Sequence, residues 1–315
     1  MTEIGYFLAS EEHGPRTLVD IAGAAEASGF RSVWISDHFH PWTDAQGQSP
    51  FVWTTIGGIA ATTDLRITTA VTCPTIRIHP AIIAHAAATA AVITDGRFRL
   101  GIGTGEKLNE HVLGDVWPSV EIRLQMLEEA VEVMRELWTG RLTTHQGEYY
   151  LVDNARLYTV PHEPPEVHVS AFGPEALSLA ATIGDGLITM MPDADFLAQY
   201  DKQGGRGPKS AGMKGCWATD EASARRTAMR WATEALPGQL GQELPLPSHF
   251  QQATELVTED MLAESMPLGP DPEPWVAAIT EFLDAGFDEL YINQIGDDQA
   301  GFFTFWRDEL RPRLS

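Results

Sequence analysis

Short apolar runs alternate with longer amphipathic stretches along most of the chain. Runs that read as strands fall at residues 4–8, 32–36, 66–73, 98–102, 166–171, 186–191, 214–218 and 290–294. Between them apolar positions recur at helical spacing, over residues 15–28, up to 61, and over 80–93, 120–138, 220–235 and 272–284. Such switching of the apolar period predicts strands that each hand over to a helix. Pro15 suits the first turn of a helix and Gly29 its stop. Residues 142–152 break the rhythm and predict a hairpin with Gly147 in its turn. Eight strands alternating with helices predict a (β/α)8 TIM barrel, with a doubly wound sheet as the structural rival.

No linker or shift of composition divides the chain, so a single domain over residues 1–315 is expected. Residues 236–269, rich in Pro, Gln and Glu, lie between the seventh and eighth strands. They are expected to form an insertion over one end of the barrel.

Composition narrows the partners. Apolar residues make up 43% of the 315, enough for a full core. Lys and Arg number 21 against 44 Asp and Glu, a formal charge of -23. The electrostatic attraction that drives binding to nucleic acid or an anionic membrane therefore has the wrong sign. A small anionic ligand remains possible, because helix N-termini and backbone N–H groups supply local positive potential. Two cysteines, Cys73 and Cys216, exclude a disulfide scaffold and a cysteine-based zinc cluster. The N-terminus has no basic and apolar leader pattern, and no run approaches the length of a membrane span. A cytoplasmic protein is expected.

Barrel enzymes place their chemistry at the carboxyl ends of the strands. After the second strand comes Ser36-Asp37-His38-Phe39-His40-Pro41-Trp42. His38 can change charge near neutral pH and is the natural acid or base, against the plainer alternative of a surface histidine. His40, which faces the other way in extended backbone, is as readily structural as functional. Trp42 offers a flat face to a ring or to a developing cation, or simply packs the loop. His38 and His40 also resemble a hydrolase metal pair, but the fifth and sixth strand ends bring Ser170 and Thr189 rather than further ligands. After the fourth strand, Gly101-Ile102-Gly103-Thr104-Gly105-Glu106 permits close backbone approach to a ligand, with Glu106 at the rim. It matches neither the dinucleotide fingerprint nor a phosphate-binding P-loop. Residues 170–173 before Pro174 offer N–H groups to an anion, or form a plain strand-to-helix turn.

At these loops the sequence resembles the luciferase-like flavin and deazaflavin oxidoreductases. Within them it is most similar to the coenzyme F420-dependent glucose-6-phosphate dehydrogenase family. The resemblance rests on residues 36–42, on Cys73-Pro74-Thr75 with residues 79–84, on Gly103-Thr104-Gly105-Glu106-Lys107-Leu108-Asn109-Glu110, on Gly184-Asp185-Gly186 and on the C-terminal residues 302–314. It implies a barrel that takes the deazaflavin at its carboxyl end, in a homodimer. Asp37, Cys73, Thr104, Gly105 and Asn109 would touch the cofactor, as would Phe172, Gly173, Glu175 and Ala176 on its phosphate side. Ala70 and Val71 would be joined by a non-prolyl cis peptide bulging against the ring. The resemblance makes His38 the acceptor of the substrate's hydroxyl proton and Glu106 the acid that protonates the reduced ring. It places Trp42 beside the reacting carbon and Glu11 nearby. Both proton movements relieve charge that appears only in the transition state.

One departure shapes the expected substrate. The family's cationic phosphate grips fall at Asp193, at Ala263-Glu264-Ser265 and in the stretch from Gln239 to Leu246, none of which carries Lys or Arg. Carboxylates would repel a phosphate dianion. Met190, Met191 and the Leu-Pro pairs at residues 244–247 suggest an apolar pocket. The substrate expected is therefore an uncharged alcohol, or a ketone or enone in reverse, rather than a sugar phosphate, with Met190 and Asp193 beside it. The alternatives are a sugar-6-phosphate dehydrogenase, an FMN-dependent monooxygenase or reductase, a metal-dependent hydrolase and a non-catalytic flavin carrier.

Overall fold

The expected alternation is realised in a computed structural model that describes residues 2–236 and 240–314. Among these, eight parallel strands close a barrel: β1 (Glu3–Leu8), β2 (Ser32–Ile35), β3 (Arg66–Thr69), β4 (Phe98–Ile102), β7 (Glu166–Ser170), β8 (Gly186–Thr189), β9 (Lys209–Gly215) and β10 (Glu289–Gln294). β1 pairs with both β2 and β10, so no edge is left and the doubly wound alternative is excluded. The hairpin β5 (Thr143–Gln146) and β6 (Leu151–Ala155) stands apart as its own two-stranded sheet.

Helices α1 (Pro15–Ala27), α2 (Val52–Thr62), α3 (Pro80–Ile93), α4 (Lys107–Glu110), α5 (Val120–Trp138), α6 (Pro174–Ile183), α7 (Ala194–Lys202) and α8 (Glu221–Ala228) follow in order. α9 (Leu240–Glu243), α10 (Pro247–Ala253) and α11 (Glu259–Ser265) lie in the stretch between β9 and β10, of which residues 237–239, including Gln239, lie outside the described residues. α12 (Pro272–Ala285) and α13 (Gln299–Phe305) complete the chain. Proline starts several helices, and side-chain caps hold others: Asp193 accepts the Phe196 N–H at 3.0 Å and Asp220 that of Ser223 at 2.9 Å.

Two boundaries differ from the expectation. The seventh barrel strand is Lys209–Gly215, not residues 214–218. Its inward positions are Ser210, Gly212 and Lys214, and only Ala211 and Met213 on its other face carry apolar side chains into the core. A Cβ at Gly212 would meet Met190 and Trp34, and only hydrogen leaves room for them. The helix expected over 220–235 ends at Ala228 and continues as a tighter 3-10 turn, with Trp231 off helical angles at φ -112.

The barrel interior is layered. At its amino end Glu289 accepts from Arg66 Nη2 at 2.9 Å and Arg99 Nη1 at 2.7 Å, with Ser210 and Tyr291 hydroxyls each at 3.0 Å. Burial pushes the Glu289 carboxyl up, but the two guanidiniums hold it below its ordinary value. Above this lie Phe7, Trp34, Ile188 and Tyr291, with Trp34 stacked on Tyr291 at 4.4 Å between ring centroids. This plug is the floor of the mouth at the carboxyl end.

Candidate active site

The loops after β1, β2 and β4 converge on one imidazole. Glu11 Oε1 stands 3.2 Å from His38 Nδ1, and Glu106 Oε2 stands 3.9 Å from His38 Nε2. The Glu11 contact is close but not aligned as a hydrogen bond. The two carboxylates differ in access: the Glu11 side chain is 3% exposed and that of Glu106 29%. Ser36 Oγ donates to Glu11 Oε2 at 2.8 Å, which fixes the inner carboxylate. Trp42 sets its edge against the His38 ring, 5.2 Å between centroids. So the four residues expected to carry the chemistry meet in one place.

Asn109 connects the two loops. Its Oδ1 accepts the N–H groups of Phe39 and His40 at 2.9 and 3.0 Å, while its Nδ2 donates to Glu106 Oε2 at 3.3 Å. One amide thus ties the histidine loop to the glutamate loop. His40 turns away, its Nδ1 2.9 Å from the Leu108 carbonyl.

Beneath lies a buried ionic group that the loops alone did not reveal. Arg77 Nη2 donates to Asp37 Oδ1 at 3.0 Å, and the Arg77 backbone N–H donates to Glu110 Oε2 at 2.9 Å. Thr72 Oγ1 donates to the second oxygen of Asp37 at 2.8 Å. Burial lifts the Glu110 carboxyl to about 7, against the pull of Arg77. Burial also raises the Cys73 thiol, helped by Glu110. The one legible signal was an arginine just beyond the third strand, between carboxylates at 37 and 110.

The remaining expected residues line the rim. The Ala70–Val71 bond is cis, and Val71 lies close under Gly103. Gly105 takes φ +84, a left-handed angle suited to glycine, and Thr104 is half-buried beside it. Phe172 is exposed, Gly173 caps α6 with open space around it, Glu175 lies exposed in the first turn and Ala176 is half-buried. Met190 packs against the aromatic floor. Asp193, expected beside the substrate, has its carboxylate engaged in capping α7. Glu264 is exposed on α11. From the insertion, Phe250 meets Trp42 edge-on at 5.1 Å. Among the described residues no group of three or more His, Cys, Asp or Glu side chains is arranged to hold a metal. Among the described residues no helix is long and apolar enough to cross a membrane.

Comparison with known proteins places this arrangement. The family described as "Luciferase-like monooxygenase" matches residues 1–289. An F420-dependent glucose-6-phosphate dehydrogenase of Nakamurella multipartita is 36% identical, over 98% of this chain and 96% of its own. An F420-dependent hydroxymycolic acid dehydrogenase of Mycobacterium tuberculosis is 35% identical, over 99% of this chain and 88% of its own. The structure of an F420-dependent secondary alcohol dehydrogenase, in complex with an F420-acetone adduct, superposes with a TM-score of 0.91 at 30% identity and 98% coverage of both chains. The expectation against a sugar phosphate is not borne out, since relatives named for glucose 6-phosphate match along almost the whole chain.

Proposed function

This chain belongs to the luciferase-like monooxygenase family, and from that premise we propose that it transfers a hydride between coenzyme F420 and the carbinol carbon of an alcohol, or in reverse the carbonyl carbon of the corresponding carbonyl compound. The observation that carries this is the imidazole of His38 held between a sealed carboxylate and an open one in the same mouth. Relatives named as F420-dependent, among them an alcohol dehydrogenase of the same fold, support the cofactor. So do the exposed Phe39 and Phe172 at the rim, apolar surface suited to a flat ring, and the open N-terminus of α6 at Gly173, suited to an anionic tail.

Coenzyme F420, when bound, supplies the ring that exchanges the hydride. Thr104, Gly105 and the α6 turn from Phe172 to Ala176 would hold it, with Val71 behind the ring. His38 Nε2 accepts the hydroxyl proton of the alcohol. Glu11 lies beside Nδ1 and favours the charged imidazole that results. Glu106, on the more open side of the mouth, would be the group placed to exchange a proton with the cofactor. Trp42, backed by Phe250, walls the substrate space against water. We further propose that the chain acts as a homodimer, through apolar side chains left exposed around α2 and α3: Phe51, Ile82, Val92 and Ile93.

Titration of the protein with oxidised F420 and separately with FMN tests the cofactor, and F420 is expected to bind at least about tenfold tighter. His38→Ala is expected to lower kcat for a secondary alcohol by about 100- to 10,000-fold with F420 affinity unchanged. Tighter binding of FMN, or full turnover by the variant, would overturn the reading.

A further inference from the structure

Lys214 is a cation inside the mouth that the proposed chemistry does not use. Strand alternation points it inward, in line with Ser210, which bonds to Glu289, and with Gly212, which faces Trp34 and Met190. Its Nζ lies 5.9 Å from the centre of the Phe7 ring, on the mouth's floor, and 4.8 Å from that of Trp231. Trp231 belongs to the apolar cluster against which Trp42 packs. The lysine therefore sits between the floor and the wall that carries the site's tryptophan. Its ion-pair partner among the described residues is Glu234, 3.0 Å away on the 3-10 turn beyond α8. The aromatic faces accept no conventional hydrogen bond, so the ammonium's remaining N–H donors are left for something else. Beside it in the β9–β10 register is Asn293, 1% exposed, whose Oδ1 has no donor although its Nδ2 bonds to the Phe7 carbonyl.

Building on the alcohol-oxidising reading above, we propose that Lys214 is the binding residue for an oxyanion substituent on the substrate, a phosphate monoester or a carboxylate, and that Glu234 is its internal competitor. An ammonium between two rings, with a single carboxylate from an exposed turn, can exchange that carboxylate for another without a new charge being buried alone. Glu234 is 32% exposed against 11% for Lys214, so the glutamate is the partner with solvent to move into. A neutral alcohol would leave the pair intact, whereas an anionic one would have to displace Glu234. The charge preference of the site then depends on residue 234, outside the reacting groups.

Three proteins test this: wild type, Lys214→Met and Glu234→Gln. Michaelis constants are measured for a phosphorylated alcohol, a hydroxy acid and a neutral secondary alcohol, and inorganic phosphate is titrated calorimetrically into each full chain. Lys214→Met is expected to raise KM for the charged alcohols about tenfold or more, leaving kcat and the neutral alcohol's KM within about twofold. Glu234→Gln is expected to lower KM for the charged alcohols and to tighten phosphate binding, which Lys214→Met abolishes. A preference confined to the phosphate monoester or to the carboxylate identifies the oxyanion and supports the site either way. Equal effects of Lys214→Met on charged and neutral alcohols, or phosphate binding that is alike or absent in all three proteins, would overturn it. Failure of every alcohol to reduce F420 would instead condemn the proposed reaction, while the phosphate titrations still judge the site.

Discussion

Glu110 shows how far a side chain's chemistry depends on its neighbours. On the sequence it is an ordinary acid near the end of Gly-Glu-Lys-Leu-Asn-Glu. In the fold its carboxyl lies buried against Arg77, and burial lifts its pKa from 4.5 to about 7. A raised carboxyl binds its proton more tightly folded than unfolded. Its contribution is therefore complete below about 4.5 and is lost as pH rises through 7. Glu110→Gln is expected to flatten the fall in melting temperature between about pH 5 and pH 8 seen in the wild type. Scanning calorimetry across that range checks it, and parallel curves for the two proteins would refute it. His38, Glu106 and Trp42 were legible because strand-end position and residue type coincide. Asn109 was legible as a site residue, but not as the tie between two loops. Its partners, Phe39, His40 and Glu106, come from strand ends that pair with β3 rather than with each other.

Among the elements, the insertion between β9 and β10 carries a specific task. The sequence marks it as a Pro-, Gln- and Glu-rich stretch between strands, but not the side chain it meets. Phe250 of α10 is fully buried and meets Trp42 edge-on. Phe250→Ala removes that support. We expect it to raise KM for the alcohol roughly tenfold and to lower stability by about 3–5 kcal/mol, with F420 affinity retained. Steady-state kinetics with a cofactor titration decides this; an unchanged KM would show that Trp42 needs no support from α10. β9 shows the opposite case. Its inward positions are small or polar where large rings from other strands fill the space, so only Ala211 and Met213 mark it as a strand. By contrast α5 reads as amphipathic and is so. Its apolar face is spent within the chain, where Trp138 Nε1 donates to the Ala84 carbonyl of α3 at 2.9 Å, and is not free for a second subunit.

At the scale of the molecule, the apolar surface left uncovered points to α2 and α3 instead. Ile82 is 61% exposed and Phe51 56%, while the rest of a chain of formal charge -23 is richly acidic. Net charge of that size keeps copies apart unless an apolar face offsets it. Ile82→Glu is expected to convert the proposed dimer to a monomer in light scattering, with the fold preserved by circular dichroism. A wild type that is already monomeric would refute the dimer.

The sequence by itself determined the barrel, because the alternation of strand and helix periods is a local property written residue by residue. It also determined which loops gather as candidates for the site, because topology puts the carboxyl ends of the strands at one mouth. Only the tertiary structure decided which carboxylate is sealed and which is open, that Arg77 and Glu110 lie beneath Asp37, and that Lys214 faces Glu234. Those relations join positions from 20 to 68 residues apart. Their physical origin is closure of the barrel, which sets burial and charge spacing between strands that no local pattern can register.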